Sequence, residues 1–226
     1  MFPDRAELER LYAYPEGDKT WVRTNFVSTL DGAAYDESGT SGSLGGEVDT
    51  EVFALLRSLA DVIIVGAGTA RTEGYEPVRP EEVDADLRSR LGLDPVPPIA
   101  VVSRRLDIPK ALQTQLVITT TDAPTIDAAD GMDVLAFGEG EIDWPAVFAE
   151  LAGRGLTRVL CEGGPTLHGA LVAQDLLDDL CLTIAPVLAA GAAPRISHGP
   201  EAVTHRMQRA HVLDADGVLL TRWVRP

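Results

Sequence analysis

Apolar residues fall into short runs separated by longer amphipathic stretches from residue 21 onward. The short runs are rich in β-branched residues and have strand length, whereas the longer stretches repeat their apolar positions at helical spacing. This alternation is typical of βαβ units, in which helices cover a parallel sheet. The predicted strands are Trp21–Ser28, Val62–Val65, Ile99–Val102, Leu116–Thr119, Val134–Phe137, Arg158–Cys161, Asp179–Ile184, His205–Leu213 and Val218–Val224.

The predicted helices lie between these strands, and their signals complete the fold prediction. Asp143 is a plausible N-cap for the helix that contains Pro145 in its first turn. Asp214-Ala215-Asp216-Gly217 is a hairpin signal between the last two strands, which predicts that the sheet ends in antiparallel strands. The predicted helices are Asp49–Leu59, Trp144–Ala152, Pro165–Ala173 and a short one around Glu81–Leu91. We therefore predict an α/β fold with a mostly parallel sheet.

The domain organisation predicted from this pattern is simple. Residues 1–20 form a polar lead-in and residues 21–226 one domain, because no linker separates two independent units. The proline-rich, acidic stretch from Pro77 to Pro98 is expected to be a surface excursion.

Charge and composition narrow the function classes. The net charge of −16, from 19 basic and 35 acidic residues, opposes the phosphate-neutralising surface that a nucleic-acid partner requires. The longest apolar run, Leu182–Ala193, is interrupted by Pro186 and Gly191 and is too short for a membrane span. Cys161 and Cys181 are expected to be buried strand residues, and with no secretory leader at Met1 we expect a cytoplasmic protein.

The motifs that are missing also matter. The sequence contains no CxxC pair, HExxH, GxSxG or P-loop, so we expect no metal site and none of the corresponding hydrolase or nucleotide-triphosphate chemistry. The four histidines lack metal-ligand spacing and are interpreted as structural; they are His168, His198, His205 and His211.

Two glycine turns follow apolar strands and are candidates for binding phosphate groups. Gly66-Ala67-Gly68-Thr69 would expose backbone N–H groups at the carboxyl edge of the sheet, although Arg71 stands where a dinucleotide fingerprint has its third glycine. The alternative is a tight strand-to-helix turn without a ligand. Glu162-Gly163-Gly164-Pro165-Thr166 repeats the arrangement, with Pro165 suited to the first helical position. Glu162 would repel a phosphate, so it is expected to face a neutral or cationic part of a substrate, or to be a surface or capping carboxylate.

Two further strand ends complete the candidate site. Ser103-Arg104-Arg105 follows Ile99–Val102, and a hydroxyl with a guanidinium suits a phosphate monoester such as the 2′-phosphate of NADPH. Arg71 and Arg79 could also attract an anion, or be ordinary surface residues. Thr29-Leu30-Asp31-Gly32 ends the first strand, where Asp31 could hold a heterocycle or move a proton. Alternatively, Asp31 bonds backbone N–H groups in a turn and Gly32 supplies its left-handed conformation.

Taken in order, the segments at these strand ends resemble the C-terminal reductase domain of the riboflavin-biosynthesis deaminase-reductases. The resemblance covers nearly everything from residue 21 to 226, without the zinc-binding deaminase half. Its most specific features are Gly-Ala-Gly-Thr69 and Glu-Gly-Gly-Pro-Thr166, in that order and spacing. The full set is Thr29–Gly32, Asp61–Thr69, Val102-Ser103, Leu160–Leu167 and Leu180–Leu188.

The resemblance implies a dihydrofolate-reductase-like three-layer sandwich, NADPH as cofactor, a phosphoribosylamino-pyrimidine substrate and a homodimer. Together with the strand-end analysis above, it predicts that Asp31 and Glu162 are catalytic, and that Thr29 and Arg79 join them in binding the substrate. Arg79 would contact the substrate phosphate. The implied cofactor residues are Gly66, Gly68, Thr69, Arg71, Ser103, Arg104, Gly163, Gly164, Pro165, Thr166 and Leu167.

Departures from the family pattern fall mainly on the substrate side. Ala33 stands where the family has a basic residue, Thr50 where it has an arginine, and Ser43 where it has a tryptophan. Thr72-Glu73-Gly74-Tyr75 replaces the expected Asp-Asp-Pro. Reduction of dihydrofolate, a pterin or another heterocycle with NADPH therefore stays open, as does a nucleotide-binding protein without catalysis.

Overall fold

The fold is seen in a computed structural model that describes residues 2–113, 115–123 and 132–226. Its helices are α1 (Arg5–Tyr12), α2 (Gly46–Leu59), α3 (Ala67–Thr72), α4 (Ala85–Arg90), α5 (Trp144–Gly153) and α6 (Pro165–Ala173). Its strands are β1 (Trp21–Ser28), β2 (Val62–Gly66), β3 (Ile99–Val102), β4 (Leu116–Thr119), β5 (Asp133–Ala136), β6 (Arg158–Cys161), β7 (Asp179–Ile184), β8 (Gln208–Ala215) and β9 (Val218–Val224). Within these ranges, no helix has both the length and the apolar character needed to cross a bilayer.

All the strands of the described chain form a single sheet in the order β5-β4-β3-β2-β6-β1-β7-β9-β8. The pairings from β5 through β7 are parallel, and β7/β9 and β9/β8 are antiparallel. This confirms the predicted mostly parallel sheet with antiparallel C-terminal strands. The strands β3, β2, β6 and β1 are neighbours, so the turns that follow them share one edge.

Alternating residues of the central strands face two separate apolar cores. Ile63 and Val65 of β2 pack with residues of α1 and α2 on one face of the sheet. Val62 and Ile64 of the same strand pack with residues of α5 and α6 on the other face. This alternation is the geometry of an extended strand, and it produces the predicted three layers.

The polar segment ahead of β1 contains a helix that packs into the core. Leu8 and Tyr12 of α1 are each only 1% exposed. The carbonyl of Tyr12 accepts a hydrogen bond of 2.7 Å from Arg23, which is paired with Asp179 at 2.7 Å. Arg222 also binds Asp179 at 2.8 Å and donates to the carbonyl of Leu11. Buried polar contacts therefore attach α1 to β1, β7 and β9.

Several element boundaries differ from the prediction. Helix α2 begins at Gly46 rather than Asp49, because its first turn accommodates the carboxylates of Glu47 and Asp49 near the positive helix end. Strand β8 begins at Gln208 rather than His205, because Gln208 pairs with Val224, the last residue of β9. The excursion around Glu81–Leu91 contains a 3₁₀ turn at Pro80–Glu82 and then α4.

The predicted hairpin between β8 and β9 is confirmed. Asp216 and Gly217 both have positive φ, at 54° and 89°, which is the conformation of the two-residue turns that match strand twist. The side chain of Asp214 accepts a hydrogen bond of 3.1 Å from the N–H of Gly217.

Candidate active site

Two glycine turns lie against each other at the carboxyl edge of the sheet, where β2 and β6 end side by side. The N–H of Gly66 donates to the carbonyl of Gly163 at 2.7 Å. A Cβ added to Gly66 would lie 3.6 Å from the backbone nitrogen of Gly164, and one added to Gly164 would lie only 2.2 Å from Oγ1 of Thr69. Because only a residue without a side chain fits at Gly164, the close approach of the turns explains the second glycine of the motif.

These turns separate two open cavities. We call the first the α2 cavity, of about 490 Å³, because it lies beside Asp49, Phe53 and Arg57 of α2. The second, the α6 cavity of about 560 Å³, lies beside Thr166, Leu167 and Ala170 of α6. The paired turns line both: Thr69, Gly164 and Pro165 line the α2 cavity, whereas Gly66, Ala67 and Gly68 line the α6 cavity.

Glu162 lies at the inner wall of the α2 cavity, paired with an arginine. Its side chain is 1% exposed, and Arg57 binds both carboxylate oxygens, with Nε and Nη2 each donating at 2.8 Å. The hydroxyl of Tyr75 donates to Oε2 at 2.8 Å. Arg57 also stacks over the ring of Phe53, with its guanidinium carbon 4.3 Å from the ring centroid. A bidentate pair with an added hydroxyl donor holds Glu162 in one orientation.

A second carboxylate in this cavity has no such partner among the described residues. Asp49, in the first turn of α2, accepts a 2.5 Å hydrogen bond from the hydroxyl of Thr183 on β7. Burial raises the pKa of Asp49, and the Thr183 hydrogen bond opposes that rise. Asp49 therefore differs from Glu162: among the described residues its charge is supported by the neutral Thr183 hydroxyl and by its place in the first turn of α2, and not by an arginine.

The mouth of the α2 cavity carries the predicted phosphate contact. Arg79 lines it with a side chain that is 59% exposed, and pairs with Glu82 at 2.7 Å and Glu81 at 3.4 Å. Exposed pairs of this kind are weak, so Arg79 can exchange its partners for a ligand.

The α6 cavity combines backbone of the Gly66 turn and of α6 with one arginine and two carboxylates, Arg104, Glu141 and Glu201. Thr166 and Leu167 lie in the first turn of α6, where N–H groups have no partner within the helix. Arg104 lines the cavity beyond the end of β3 and donates to the carbonyl of Gly140 at 3.4 Å. Ser103, beside it, is buried and joined to β4 through its backbone N–H, which donates to Ile118 at 3.0 Å.

The carboxylate of Asp31 is occupied by a loop. The hydroxyl of Thr29 donates to Asp31 at 2.5 Å, and the N–H groups of Ala189 and Ala190 donate at 3.1 and 2.7 Å. These bonds, the one from Thr29 first, lower the pKa of Asp31 to about 2. Gly32 has a φ of 87°. This geometry matches the structural alternative for the turn, except that the N–H groups come from a distant loop rather than from neighbours.

Arg71 and His168, which the sequence analysis singled out, both contact other residues of the protein. Arg71 pairs with Asp107 at 2.8 Å on the surface. His168 is buried, stacks on Phe26 with ring centroids 4.6 Å apart, and contacts the carbonyl of Ile196 at 2.9 Å. His198 lines the α6 cavity, and its backbone N–H donates to the carbonyl of Pro165 at 2.9 Å.

The positions that depart from the family pattern lie in or near the α2 cavity. Thr50 lines it and donates to the carbonyl of Gly46 at 2.9 Å. Ala33 is buried, and Ser43 donates to the carboxylate of Asp36. Tyr75, from the segment that replaces Asp-Asp-Pro, supplies the hydroxyl that binds Glu162.

The sequence reasoning missed Arg57, Asp49 and Tyr75, all of which line the α2 cavity. Arg57 and Asp49 lie within the predicted helix Asp49–Leu59, where a charged residue is read as part of the solvent face. The apolar positions of this helix predict which of its faces is buried, but not which charged residue meets the site. The position of Arg57 near the end of the helix that precedes β2 is the one feature of the sequence that indicates a place close to the sheet.

The sequence profile described as "RibD C-terminal domain" matches residues 20–220. The chain therefore belongs to the RibD C-terminal domain family. It is similar to a 2,5-diamino-6-ribosylamino-4(3H)-pyrimidinone 5′-phosphate reductase of Archaeoglobus fulgidus, with 27% identity over 76% of this chain and 83% of the relative. It is also 29% identical to the riboflavin biosynthesis protein RibD of Bacillus amyloliquefaciens, over 79% of this chain and 49% of that protein.

Solved structures share the fold. A pyrimidine reductase-like protein from Corynebacterium diphtheriae superposes with a TM-score of 0.80 and 24% identity, covering 96% of this chain and 97% of that one. The riboflavin biosynthesis reductase Rib7 of Saccharomyces cerevisiae superposes with a TM-score of 0.69 and 15% identity, covering 98% and 99%. These likenesses confirm the dihydrofolate-reductase-like architecture.

Proposed function

We propose that this chain reduces a phosphoribosylamino-pyrimidine with NADPH in riboflavin biosynthesis. The observation that carries the proposal is the pair of cavities on either side of the Gly66 and Gly164 turns, one lined by seven charged side chains and the other by three. Such an arrangement can bring a substrate and a dinucleotide together over one small contact area. The names of the curated relatives supply the substrate class.

The α6 cavity fits a phosphorylated nicotinamide dinucleotide. The turn at Gly66 and Gly68 allows a ligand backbone to come close, and the first turn of α6 offers free N–H groups to a pyrophosphate. Arg104 suits the 2′-phosphate, and Ser103 lies beside it. When bound, the dinucleotide would supply the hydride, and the protein would supply binding, orientation and electrostatics.

In the α2 cavity, Glu162 would bind the amino groups of the pyrimidine, since a carboxylate held by Arg57 and Tyr75 accepts hydrogen bonds in a fixed direction. Arg79 would bind the phosphate at the cavity mouth. Thr29 and Asp31 would act indirectly, by fastening the loop at Ala189 and Ala190 beside the strand end.

The test is a titration of the purified protein with NADPH and NADH by calorimetry, followed by mixing with the pyrimidine phosphate and recording nicotinamide absorbance. We expect preferential binding of NADPH and a decrease in absorbance that depends on the pyrimidine. Binding without turnover of any pyrimidine or pterin would favour a nucleotide-binding protein without catalysis, and absence of binding would contradict the proposal.

A second candidate keeps the cofactor and takes dihydrofolate, a pterin or a related heterocycle. The charge of the α2 cavity favours the uncharged members of this set, a pterin or another neutral heterocycle: five carboxylates line the cavity against two guanidiniums, and both guanidiniums are already paired. The carboxylates are Asp49, Glu73, Glu76, Glu82 and Glu162. Faster turnover of dihydrofolate than of the pyrimidine phosphate would establish this candidate.

We also propose a cytoplasmic homodimer. Leu30, Val187 and Leu188 are 60%, 43% and 73% exposed, and the N–H of Leu30 bonds to the carbonyl of Val187 at 2.8 Å, so these apolar side chains form one patch. Patches of this kind often mark interfaces. Light scattering after size exclusion should give twice the monomer mass of 24.1 kDa, and Leu188→Asp should reduce it to one.

A further inference from the structure

The reduction proposed above needs a proton as well as a hydride. When the ribose ring of the substrate opens, its first carbon and the amino nitrogen are joined by a C=N bond. That carbon accepts the hydride, and the π electrons move to the nitrogen, which must then take a proton. The products are the amine and the oxidised nicotinamide. The inference that follows rests on this proposed function and asks which side chain gives the proton.

Most acidic groups of the α2 cavity are held as acceptors. Glu162 is bound by Arg57 and Tyr75. Glu73 accepts from both the N–H and the hydroxyl of Ser41, at 2.9 and 3.0 Å. Two further carboxylates line the cavity besides Asp49. Glu82 pairs with Arg79 and Arg57, and Glu76 is exposed to solvent. Glu162, Glu73 and Glu82 are therefore already engaged by donors of the protein, and Glu76 lies in solvent.

Asp49 has the opposite surroundings. Among the described residues its carboxylate accepts a hydrogen bond from the Thr183 hydroxyl, and its Oδ2 lies close to Gly45, where an added Cβ would lie 2.1 Å from it. Within the described chain no Lys, Arg or His lies within ion-pair distance of it. Asp49 therefore lies at the wall of the cavity in a fixed position, with no cation to stabilise its charged form.

We infer that Asp49 donates the proton that accompanies hydride transfer. The carboxyl loses its proton to the substrate nitrogen and regains one from water in the next cycle, so that atoms and charge balance. Burial of Asp49 favours the protonated carboxyl before the reaction, and the Thr183 hydroxyl opposes this only in part. Glu162, which lines the same cavity, can then hold the ring in place.

The pH dependence has a definite sign. The protonated form is the active one, so the rate of hydride transfer should fall as pH rises through the pKa of Asp49, which burial raises and the Thr183 hydroxyl lowers. The titratable groups that face this region are Tyr12 on α1, Arg57 on α2 and, among the other residues that line the cavity, Tyr35, Glu73, Tyr75, Glu76, Arg79, Glu82 and Glu162.

Asp49→Asn tests the proton transfer, with Glu51→Gln as a matched control on the exposed side of α2. In single-turnover experiments Asp49→Asn should slow hydride transfer on the order of 10²- to 10⁴-fold, the usual contribution of a general acid, while NADPH affinity changes less than twofold. Glu51→Gln should behave like the parent protein. If Asp49→Asn stays within threefold of the parent rate, the inference is wrong.

Thr183→Val changes the pH dependence of the rate, which a purely structural role of Asp49 would leave unchanged. It removes the hydrogen bond that stabilises the charged form, so the basic limb of the rate profile should move to higher pH. An unmoved limb would argue against Asp49 as the titrating group.

A measurement without turnover separates this inference from the proposed function. Infrared difference spectra across a pH titration should show a protonated-carboxyl band that Asp49→Asn removes and Glu51→Gln keeps. If the parent protein turns over no pyrimidine, the proposed function fails, and the infrared band still decides whether Asp49 carries a proton. Absence of that band at neutral pH overturns the inference.

Discussion

The two cavities on either side of the paired glycine turns are built in opposite ways. The α6 cavity has Gly66, Gly68 and the first turn of α6 at its wall, and three charged side chains, Arg104, Glu141 and Glu201, line it. The α2 cavity is made of charged and aromatic side chains that come from distant parts of the chain, among them Asp49, Arg57 and Glu162. Backbone groups suit a ligand shared by many enzymes, whereas side chains can be exchanged to suit a particular substrate.

The difference also appears in how the charges are balanced. On the α2 side, the buried carboxylate of Glu162 depends on one arginine for its stability. On the α6 side, Arg104 is exposed, and among the described residues its side chain donates one long hydrogen bond, to Gly140. Changes in the α2 cavity should therefore affect folding as well as function, and changes in the α6 cavity mainly cofactor affinity.

Loss of Arg57 should have the largest effect. Arg57→Ala leaves the carboxylate of Glu162 buried without its cation, and removal of one partner of a buried pair lowers the free energy of unfolding by about 3–5 kcal/mol. Urea unfolding monitored by circular dichroism measures the change. The control, Arg154→Ala, breaks pairs with Glu150 and Asp133 at the surface and should lower the stability by at most about 1 kcal/mol.

Adding Glu162→Gln to Arg57→Ala should recover part of the lost stability, because the unpaired charge is then removed. A loss no larger than that of the Arg154 control would mean that the pair does not organise the α2 cavity.

The contrast between the cavities explains how much the sequence could predict. The residues of the α6 cavity follow directly after strands, so their place at the sheet edge could be predicted from local pattern. Arg57 and Glu162 are 105 residues apart, and Asp49 and Thr183 are 134 apart. No periodicity indicates which residue on a helix will meet a carboxylate on another strand, so that part of the site required the tertiary structure.

The same reasoning applies to Asp31 and to the first twenty residues. The N–H groups that occupy Asp31 belong to Ala189 and Ala190, 158 and 159 positions later. Helix α1 is polar on average, with its burial concentrated in Leu8 and Tyr12. A short helix with two core residues gives a weak signal in a sequence, although the core depends on it.

Adding a side chain at Gly164, between the two cavities, should have the next largest effect. In Gly164→Val, the added Cβ would overlap Oγ1 of Thr69, and separation of the two turns should weaken NADPH binding by about 2–3 kcal/mol, on the order of 100-fold in Kd. Calorimetric titration measures the change. Gly153→Val is the control, because a Cβ there meets nothing within 4 Å; equal affinities for the two variants would show that the turns need not touch.

Arg104 tests the charge of the α6 cavity alone. Arg104→Ala should weaken NADPH binding by about 1.5–2 kcal/mol, the size of a charge-assisted hydrogen bond, and leave NADH binding almost unchanged. Arg105→Ala is the matched control at the next position. Parallel titrations with both dinucleotides give the comparison, and an equal loss for NADPH and NADH would contradict contact with the 2′-phosphate.

The variant with the smallest expected effect tests whether the α2 cavity has lost affinity for a phosphorylated substrate. Thr50→Arg restores the family's arginine at a position that lines the cavity, and an exposed charge there should contribute about 0.5–1 kcal/mol to binding of a phosphate. We expect KM for the pyrimidine phosphate to fall about two- to fivefold, with no change for the dephosphorylated compound. Thr50→Met, similar in length but uncharged, should leave both values unaltered. If Thr50→Arg lowers KM equally for the phosphorylated and the dephosphorylated compound, the arginine acts through the shape of the cavity and not through its charge. The electrostatic contrast between the two cavities would then carry no information about the substrate.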